Sequence, residues 1–486
     1  MLMKTATQSL TEQLANRFAE RIQTRLLAGG ARLPSVRQCA EQHGVSASTV
    51  VAAYDRLLAQ GLVEARKNRG FYVRETLADQ SKRAQAAPEF VALSHAHSAD
   101  AKQNPVTPLV PITPINATAL IRGMFQGISS KPQPSLGVFP PDWLETTFLS
   151  AAVRRFTSTK ALHGLSVHYG EPAGDSDLRR ALAQKLASIN VHAAPGQIIT
   201  TVGATHALDI VSRTLLCAGD CVMVEEPGWA IEFARLNALG MRILPVPRTA
   251  AGPDLDVMVK YCELHAPKLF VSVSVLHNPT GYCLPPSSAH RILQMANQYD
   301  FHIVEDDTYS HLAPEHATRL SALDGLQRTI YVSGFAKILA PGWRVGYLAA
   351  PHDLFERLLD TKLLAALTTP ALFEKAVAWC IDHGQLRRHA ERIRHRLDIA
   401  RTRSSRLAQA HGCTFAAEPA GLFGWVDAGV DTEMLAHRML DEGYLLAPGA
   451  LFHAARQPSS LMRINFATTQ DAAFWRVFSR LQKAAL

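Results

Sequence analysis

From Ser135 onward, short apolar segments alternate with helical segments, and this alternation is the feature that most constrains the fold. One apolar run extends from Leu269 to Leu276, and a second, Ile303-Val304, leads into a group of acidic residues. Short apolar runs between amphipathic segments are typical of buried strands in an α/β domain. Because consecutive parallel strands need long crossover connections, the pattern predicts a largely parallel sheet covered by helices.

The composition predicts a soluble globular protein with more than one domain. The chain has 486 residues, of which 47% are apolar and 19% charged, and this length exceeds one ordinary domain. No apolar run approaches the roughly 20 residues that cross a bilayer, and a signal-peptide pattern is not found, so we expect a cytoplasmic protein without a membrane partner. The seven cysteines lack zinc or disulfide spacing, so no metal site is predicted.

The positive charge is concentrated near the N-terminus. Residues 1–74 contain 11 Lys and Arg against 5 Asp and Glu, a formal +6 of the whole chain's +8. A small basic module suits a polyanion such as DNA, while the remaining residues are near neutral when averaged. A basic face that is merely solvated is the alternative.

The first 75 residues predict a helix-turn-helix. A first amphipathic helix is indicated by apolar residues at four-residue spacing, namely Leu10, Leu14, Phe18, Ile22 and Leu26. A second helix should begin after the N-cap Ser35 and end at Gly44, and a third should run from Ser46 to Gly61. Two short helices joined by a tight turn form this motif.

Two short strands follow the predicted helices. Residues 62–65 and 71–73 alternate like strands, and the segment from Arg66 to Gly70 between them is a basic hairpin tip. The sequence therefore predicts a winged helix-turn-helix, mostly α with a β wing, over residues 8–75.

The segment RLPSVRQCAEQHGVSASTVVAAYDRLLAQGLVEARKNRG resembles the GntR family of bacterial winged-helix regulators. The resemblance implies double-stranded operator DNA as a partner, with phosphates held by arginines and helix N-termini and base edges read from the third helix. The residues expected at DNA are Arg32, Ser35, Arg37, Ser46, Ser48, Thr49, Lys67, Arg69 and Gly70.

Residues 76–134 predict a linker. They are rich in Ala, Ser and Gln, with prolines at three-residue spacing: Pro105, Pro108, Pro111 and Pro114. Such a stretch favours partly extended, polyproline-like backbone. Part of it, around residues 117–125, is alternatively a helix of the following domain.

The segment SGFAKILAPGWRVGY, residues 333–347, carries a lysine suited to chemistry. Lys337 follows an apolar strand, and Arg344 comes seven residues later. A partly desolvated lysine loses its proton readily and forms a Schiff base with an aldehyde, while an arginine holds an anion. An aldehyde cofactor with a phosphate is pyridoxal phosphate (PLP). For an isolated pair, a surface lysine and an unrelated arginine is the alternative.

Residues 135–486 resemble fold type I PLP enzymes of the aspartate aminotransferase kind, which implies PLP as the cofactor. The resemblance rests on separated motifs in the family's order. They are YGEPAG at Tyr169, IITTVGATHAL at Ile198, EPGW at Glu226, HNPTG at His277, EDDTY at Glu305, the lysine segment and LMRINFA at Leu461.

The resemblance assigns the cofactor's phosphate and ring to several residues. Tyr169 reaches the phosphate of the other subunit, which implies a homodimer. Ala204 and Thr205 begin a helix whose N–H groups cradle the phosphate, and Arg344 contributes a cation. Trp229 stacks on the pyridine, although an isolated tryptophan is more often a core residue.

Further roles carried by the resemblance concern the reacting atoms. Asn278 and Tyr309 donate to the phenolic oxygen of the cofactor, and Asp306 pairs with the ring nitrogen and so keeps it protonated. Asp307 is the competing candidate, since only the spacing to Tyr309 favours Asp306. Lys337 is the Schiff-base former.

Arg463 is expected to bind the α-carboxylate of an amino acid in a bidentate pair, with a surface arginine as the alternative. The lysine segment departs from the family's pattern, because Gly334 and Ala336 stand where hydroxyl residues commonly bind phosphate. Ser333 is expected to compensate.

A GntR-like head and an aminotransferase-like body together resemble the MocR subfamily of transcriptional regulators. The leading hypothesis is a dimeric regulator, with the head over the partner subunit, that senses an amine, amino acid or B6 vitamer through an internal aldimine at Lys337. A catalytically active aminotransferase with a DNA-binding head is the main alternative. A DNA-binding protein with a vestigial cofactor site is the third.

Overall fold

A computed structural model of the chain describes residues 9–23, 27, 30–66, 70–74, 131, 133–314 and 316–485. The chain divides into two compact units, one within residues 1–126 and one within residues 127–486. Over the described ranges, every helix is too short or too polar to cross a membrane.

The N-terminal unit contains three helices and a hairpin. They are α1 (Leu10–Gln23), α2 (Val36–His43), α3 (Ala47–Ala59), β1 (Val63–Arg66) and β2 (Gly70–Val73). The predicted caps are confirmed: the Ser35 hydroxyl accepts from the N–H of Gln38 at 3.3 Å, and Gly44 ends α2 in the left-handed region with φ 65°.

The predicted winged helix-turn-helix is confirmed in its architecture. The inner faces of the helices bury Leu14, Phe18, Val50, Tyr54 and Leu57. The wing strands pair antiparallel from Val63↔Val73 to Arg66↔Gly70. The wing tip, with Lys67 and Arg69, lies outside the described residues, as do residues 75–130, which contain most of the predicted linker and the alternative helix at 117–125.

The second unit combines helices with two sheets. Its helices are α4 (Pro141–Leu144), α5 (Thr147–Arg155), α6 (Thr159–Val167), α7 (Ser176–Ala187), α8 (Ala204–Leu215), α9 (Ala230–Ala238), α10 (Leu255–His265), α11 (Pro286–Gln298), α12 (Leu320–Asp324), α13 (His352–Ala366), α14 (Ala371–Asp382), α15 (Gln385–Ala410), α16 (Thr432–Asp441) and α17 (Ala472–Lys483).

Its strands are β3 (Ile198–Val202), β4 (Cys221–Glu226), β5 (Arg242–Thr249), β6 (Gly252–Pro253), β7 (Leu269–Ser272), β8 (His302–Asp306), β9 (Thr329–Gly334), β10 (Val345–Ala349), β11 (Thr414–Phe415), β12 (Phe423–Asp427), β13 (Ala447–Pro448) and β14 (Leu461–Asn465). The order in the larger sheet is β3-β10-β9-β8-β7-β4-β5-β6, and in the smaller one β11-β12-β14-β13.

The larger sheet is largely parallel, as predicted, and it is mixed only because β10 and β6 run against the other six strands. β5, β4, β7, β8 and β9 run parallel, but β10 lies antiparallel between β3 and β9. The reason lies in the connection, since only residues 335–344 join β9 to β10. A parallel crossover needs about a dozen residues or more, so this short turn returns the chain antiparallel.

The sheet topology brings the separated motifs together. β4, β7 and β8 run parallel, so the segments that follow them, with Trp229, Asn278 and Asp306, leave the sheet at the same edge. β9 also runs parallel to β8 and leads into the turn that carries Lys337. The carboxyl edge of such strands is where ligands bind in α/β folds.

The smaller sheet is antiparallel, and the sequence predicted only the strand that carries Arg463. In β14, Arg463 pairs with Trp425 of β12 and Ala447 of β13. Central position in this sheet fixes the backbone of Arg463, and the side chain is 7% exposed.

Candidate functional site

Lys337 lies in the turn after β9, with its amine held by one backbone group. Its Nζ donates to the carbonyl of Gly137 at 2.7 Å. A Cβ on Gly137 would lie 3.4 Å from this Nζ, so the amine is closely covered. Burial, with the charges of Arg463 and Arg344, lowers the pKa of Lys337 to about 8, although Asp306 opposes the shift. A lysine of lowered pKa presents more neutral, nucleophilic amine.

Arg344 lies against the start of α8. It has φ 54°, and its Nη2 donates to the carbonyl of Val202 at 3.3 Å. A Cβ on Gly203 would lie 2.4 Å from that Nη2, so glycine is needed for this approach. Thr205, in the first turn of α8, is exposed. A helix N-terminus beside a guanidinium is suited to an anion such as phosphate.

Glycines also bring the strand ends close to this helix start. A Cβ on Gly346 would lie 2.7 Å from the backbone N of Ala204, and one on Gly334 would lie 3.2 Å from the carbonyl oxygen of Val345. A hydroxyl side chain at Gly334, as the family commonly has, would require the neighbouring backbone to shift. The glycine therefore matches the tight packing of β9, β10 and α8.

Asp306 and Asp307 have different surroundings. The Asp307 carboxylate accepts from Arg319 Nε at 2.6 Å and from the Tyr331 hydroxyl at 2.9 Å, all buried. Asp306 accepts from the N–H and hydroxyl of Thr308 and has no ion-paired arginine or lysine among the described residues. Burial raises the pKa of Asp306 to about 6. Asp307 is thus engaged internally, whereas Asp306 retains an uncompensated carboxylate.

Arg463 is a buried cation without a carboxylate partner in the described part of the chain. Its Nη1 donates to Asn278 Oδ1 at 2.9 Å, and its Nη2 donates to the carbonyl of Ser135. Its Nε has no hydrogen-bond partner among the described residues. Burial lowers the pKa of Arg463 to about 10. A buried guanidinium with a spare donor is a place for an anionic ligand group.

Phe423 connects the parts of this site. The Arg463 guanidinium lies over the Phe423 ring at 4.3 Å, and Tyr309 packs edge-on against the same ring at 5.5 Å. A Cβ on Gly137 would lie 3.5 Å from Phe423. Burial raises the pKa of Tyr309, so its hydroxyl stays a donor near neutral pH. The structure therefore brings Lys337, Tyr309 and Arg463 around one aromatic ring.

Trp229 and Asp306 line a cavity of about 20 Å³, together with His277 and Glu225. The Glu225 carboxylate accepts from Arg248 at 2.8 Å and from Ser272 at 3.1 Å. Burial raises the pKa of Glu225 and lowers that of His277. The Glu225 carboxylate also lies 3.4 Å from His277, the residue before Asn278, so this network helps to hold the Asn278 loop.

Ser333 and Tyr169 are not brought together with these groups. The Ser333 hydroxyl is buried and donates to the carbonyl of Asp307 at 2.9 Å, so a phosphate contact would require that bond to break. The Tyr169 side chain is 82% exposed. That exposure leaves it accessible to a second subunit, as the predicted phosphate contact requires.

Several residues of the site were missed in the sequence. Gly137 and Ser135 contribute only carbonyl groups, and Phe423 and Phe452, over which Arg463 stacks, belong to ordinary apolar segments. None of these carries a local signal. Glu225 was detectable only as an acidic residue inside an apolar strand.

In the N-terminal unit, the start of α3 presents a group of hydroxyls. The Ser46 hydroxyl lies 2.8 Å from those of both Ser48 and Thr49, and it accepts from the Thr49 N–H at 3.2 Å. The Arg37 side chain is 91% exposed and lies 3.6 Å from Glu41. A Cβ on Gly70 would lie 3.4 Å from Arg32. These residues, which are predicted to contact DNA, therefore lie at accessible positions around α2, the start of α3 and the base of the wing.

Comparison with known proteins matches each of the two units to a known family. The profile "Aminotransferase class I and II" matches residues 144–481, more than half of the 486 residues. This chain belongs to the aminotransferase class I and II family. Residues 10–73 match "Bacterial regulatory proteins, gntR family", so a GntR-type helix-turn-helix precedes the aminotransferase domain in this chain.

Relatives of this class I and II member include both regulators and enzymes. The chain is 26% identical to the uncharacterized HTH-type transcriptional regulator YdcR of Escherichia coli, over 94% of each chain. It is 29% identical to the aromatic-amino-acid aminotransferase 1 of Thermococcus litoralis, over 62% of this chain and 75% of the enzyme. The predicted architecture of a GntR head fused to an aminotransferase domain is confirmed.

The aminotransferase fold and its cofactor are also supported by a solved structure. The α-aminoadipate aminotransferase LysN of Thermus thermophilus, in complex with N-(5'-phosphopyridoxyl)-L-leucine, is 25% identical, with a TM-score of 0.68 over 75% of this chain and 95% of that one. The prediction of PLP as the cofactor of this fold is confirmed. The half-buried Lys337 amine, the spare donor of Arg463 and the glycine-lined approach of Arg344 to α8 fit such a group.

Proposed function

We propose that this chain is a PLP-dependent, DNA-binding transcriptional regulator of the MocR subfamily that senses an amine, an amino acid or a B6 vitamer through Lys337. The GntR head and the 94% coverage of a relative named as a regulator support the regulatory part. The sensing part rests on one observation: the Lys337 amine shares a site with Arg463, a buried cation without a carboxylate partner among the described residues.

When bound, PLP supplies an aldehyde for an amine and a ring that withdraws electrons. In this proposal Lys337 is the amine that holds it, because its Nζ is covered and its pKa is lowered to about 8. Arg344 and the start of α8, with Ala204 and Thr205, hold the phosphate. Asp306, with a pKa of about 6, is mostly ionised at neutral pH and so pairs with a protonated ring nitrogen.

Ligand recognition is assigned to Arg463. The guanidinium would exchange its bonds with Ser135 and Asn278 for a bidentate pair with a ligand carboxylate. A ligand amine that replaces Lys337 would also change the bond between Nζ and the Gly137 carbonyl. Both bonds reach the segment 135–137, which begins the large domain, so ligand binding alters how this segment is held.

Regulation requires that the ligand bind two arrangements of the protein with different affinity. We propose a homodimer as the unit in which this happens, with Tyr169 reaching the partner's phosphate site and the head over the partner subunit. The exposed side chains of Val167 (52%) and Tyr169 (82%) support a covered surface in an assembly. A cytoplasmic, nucleoid-associated location follows from binding DNA.

A working aminotransferase is the second candidate, and the completeness of the site favours it. Lys337, Asp306, Tyr309 and Arg463 supply an amine, a ring-nitrogen partner, a phenol donor and a carboxylate partner. A named enzyme, the 2-aminoadipate transaminase of Thermus thermophilus, is 29% identical over 66% of this chain and 82% of the enzyme.

The deciding experiment uses the full chain loaded with PLP. Wild type should show the visible absorbance of lysine-bound cofactor, and Lys337→Ala should lack it while retaining DNA binding. Amines and amino acids are then titrated while the spectrum and the affinity for promoter-region DNA are followed. A regulator changes DNA affinity with a ligand that also changes the spectrum. A turnover number near the typical ~10 s⁻¹ with any amino-acid and keto-acid pair would favour the enzyme instead. Wild type without the absorbance would indicate a vestigial site.

A further inference from the structure

Helix α15 carries an unusual concentration of positive charge within the aminotransferase domain. Residues 385–410 contain eight arginines and no lysine, against two acidic residues, Glu391 and Asp398. The helix thus has a formal charge of +6, as large as that of residues 1–74, in a chain of +8. The near-neutral average of the large domain hides this helix, because residues 75–486 outside it have a formal charge of −4, once the +6 of residues 1–74 and the +6 of the helix are taken from the chain's +8.

Four of the eight arginines lie in one exposed row along the helix. Its opposite side is buried through apolar and small residues such as Leu386, Ile393, Leu397 and Ala400. The outer side shows an exposed row at spacings of three and four residues, which we call the α15 stripe: Arg388, Arg392, His395, Ile399, Arg403 and Arg406. At 100° per residue these positions fall within about 80°, and the row is about 27 Å long.

Within the described part of the chain, no acidic side chain pairs with an arginine of the stripe. Arg388 donates to the carbonyl of His383 at 3.0 Å, and Arg392 donates to the carbonyls of Trp143 and Glu145. These bonds orient the guanidinium groups but leave their charge. Arg403 and Arg406 have neither an acidic partner nor a hydrogen bond within the described ranges.

The acidic residues near α15 serve arginines that lie off the stripe. Arg387 pairs with Glu391 at 3.3 Å, Arg401 with Asp398 at 2.6 Å, and Arg396 with Asp142 at 2.8 Å. Three arginines at the flanks are thus ion-paired, a fourth off the row, Arg394, donates to the carbonyl of Ala313, and the four arginines of the outer row are not neutralised by any residue that the structure describes. A row that served only solubility would not need four unpaired charges that are all arginine and never lysine.

The composition of the row fits phosphates. Arginine forms a planar, bidentate contact with phosphate and is more weakly hydrated than lysine. Duplex DNA presents about one charge per 1.7 Å of its axis, so a row of about 27 Å faces many phosphates. A membrane surface is less suited, because the apolar face of α15 is buried in the protein core.

DNA is also the polyanion that this chain meets, because a GntR-type head occupies residues 10–73. Once a head holds DNA, weak contacts elsewhere on the same protein act at a high effective concentration. We propose that the α15 stripe is a second, sequence-independent DNA-binding surface that contacts the phosphate backbone. This inference rests on DNA binding by the head and not on the sensing function.

The test measures the affinity of the full chain for a mixed-sequence 60-bp duplex at several salt concentrations. The variant Arg403→Gln/Arg406→Gln removes two cations that make no hydrogen bond or ion pair among the described residues. Each lost phosphate contact lowers the slope of log K against log salt by about 0.9. We expect the slope to fall by up to about 2 and the affinity at physiological salt to fall about tenfold.

Two control variants separate the stripe from general charge. Arg180→Gln/Arg213→Gln removes two exposed arginines that pair with Asp177 and Asp209 on other helices, and it should keep the wild-type slope. Arg403→Lys/Arg406→Lys keeps both positive charges, so it should show most of the wild-type slope of log K against log salt. An unchanged slope in the glutamine variant, or an equal fall in the distant control, would overturn the proposal.

Two further measurements identify the anionic partner of the α15 stripe and show whether a loss of DNA binding comes from the stripe or from the head. If the glutamine variant loses affinity for polyglutamate but keeps its DNA slope, the surface binds an acidic protein segment and the DNA assignment is wrong. Arg37→Ala in the head should lower DNA affinity in either case, so its effect reports on the head alone. Ligand-dependent changes of the cofactor spectrum report on the sensing function and are independent of both.

Discussion

Arg463 has a role that depends on what its guanidinium lacks. Burying a charge is costly unless partners compensate it, and here they are the Asn278 amide oxygen and a backbone carbonyl. Stacking over Phe423 and Phe452 adds cation–π attraction. None of these groups carries a negative charge, so an anionic ligand group would improve the surroundings of the side chain.

The first prediction concerns ligand choice at this residue. In Arg463→Gln, binding of an amino acid that perturbs the cofactor spectrum should weaken by about 2 kcal/mol, roughly 30-fold, because a charge-assisted pair is lost. The amine that corresponds to the same ligand without its carboxylate is the matched control and should bind almost unchanged. Spectral titration measures both dissociation constants. Equal weakening of acid and amine would contradict carboxylate recognition by Arg463.

Lys362 is a second residue with an unusual environment. Its side chain is 0% exposed, and its Nζ donates to the carbonyl of Pro172 at 2.6 Å. Burial lowers its pKa to about 8, although nearby Glu374 opposes the shift. This hydrogen bond holds the segment that begins with Tyr169, and its cost is the burial of the Lys362 ammonium charge.

The second prediction follows from that pKa. Between pH 8 and 10.5 the unfolded chain, with an ordinary lysine pKa of 10.5, binds more protons at this site than the folded chain. The contribution of Lys362 to the free energy of unfolding therefore rises with pH across this window and is constant below it. Relative to Lys362→Met, wild type should gain about 1.5 kcal/mol from pH 8 to 9.5. Urea unfolding of both proteins measures this, and parallel curves would show that Lys362 has an ordinary pKa.

At the scale of elements, helix α3 begins with a cap that has two uses. The Ser46 hydroxyl accepts from the Thr49 N–H and also contacts the hydroxyls of Ser48 and Thr49. An N-cap satisfies a backbone donor that the helix cannot satisfy itself. The same helix start is predicted to face DNA, so stability and recognition meet in one turn.

The third prediction separates these uses. Ser46→Ala should lower the stability of the head by about 1 kcal/mol, or about 4 to 8 °C in the melting temperature of a domain of this size. Ser48→Ala is the matched control, because its hydroxyl caps no backbone group in the described structure. Both variants should weaken DNA binding, but only Ser46→Ala should lower the melting temperature of the head. An equal fall in both would contradict the cap assignment.

The elements differ in how far the sequence determined them. The caps Ser35 and Ser46, the turn glycine Gly44 and the apolar period of α1 are local signals, so the head was predictable nearly to the residue. The direction of β10 was not, because the alternation of strands and helices does not record which connection is too short for a crossover. The smaller sheet was missed because its strands are short and widely separated in the chain.

The site shows the same division between local and distant information. Lys337, Asn278, Asp306 and Arg463 belong to motifs that could be read directly. Phe423 and the carbonyls of Ser135 and Gly137 could not, since their importance arises only when distant segments meet. The carbonyls accept from residues 200 or more positions away, and Phe423 contacts Arg463 and Tyr309 from other parts of the chain. The preference for Asp306 over Asp307 had only spacing in its favour, and the buried pair of Asp307 with Arg319 now adds a physical reason.

At the scale of the whole molecule, the surroundings of Tyr169 support the proposal that one chain carries an incomplete site. Its side chain is 82% exposed although it is large and partly apolar. The neighbouring helix α6 has no buried residue among its described positions. A Cβ on Gly170 would lie 3.2 Å from the carbonyl of Thr369, so the segment is packed closely on its own side while Tyr169 points to solvent. A second subunit would cover these residues.

The fourth prediction tests whether Tyr169 acts across the subunit boundary. Tyr169→Phe should loosen PLP by about 1 kcal/mol, roughly fivefold, because one hydroxyl contact to the phosphate is lost. Mixing Tyr169→Phe chains with Lys337→Ala chains forms heterodimers in which one site combines an intact Lys337 with an intact Tyr169 from the other chain. Cofactor titration of the mixture should therefore recover a fraction of sites with wild-type affinity. If Tyr169 served its own subunit, no chain in the mixture would carry both residues, and only weak sites would be found.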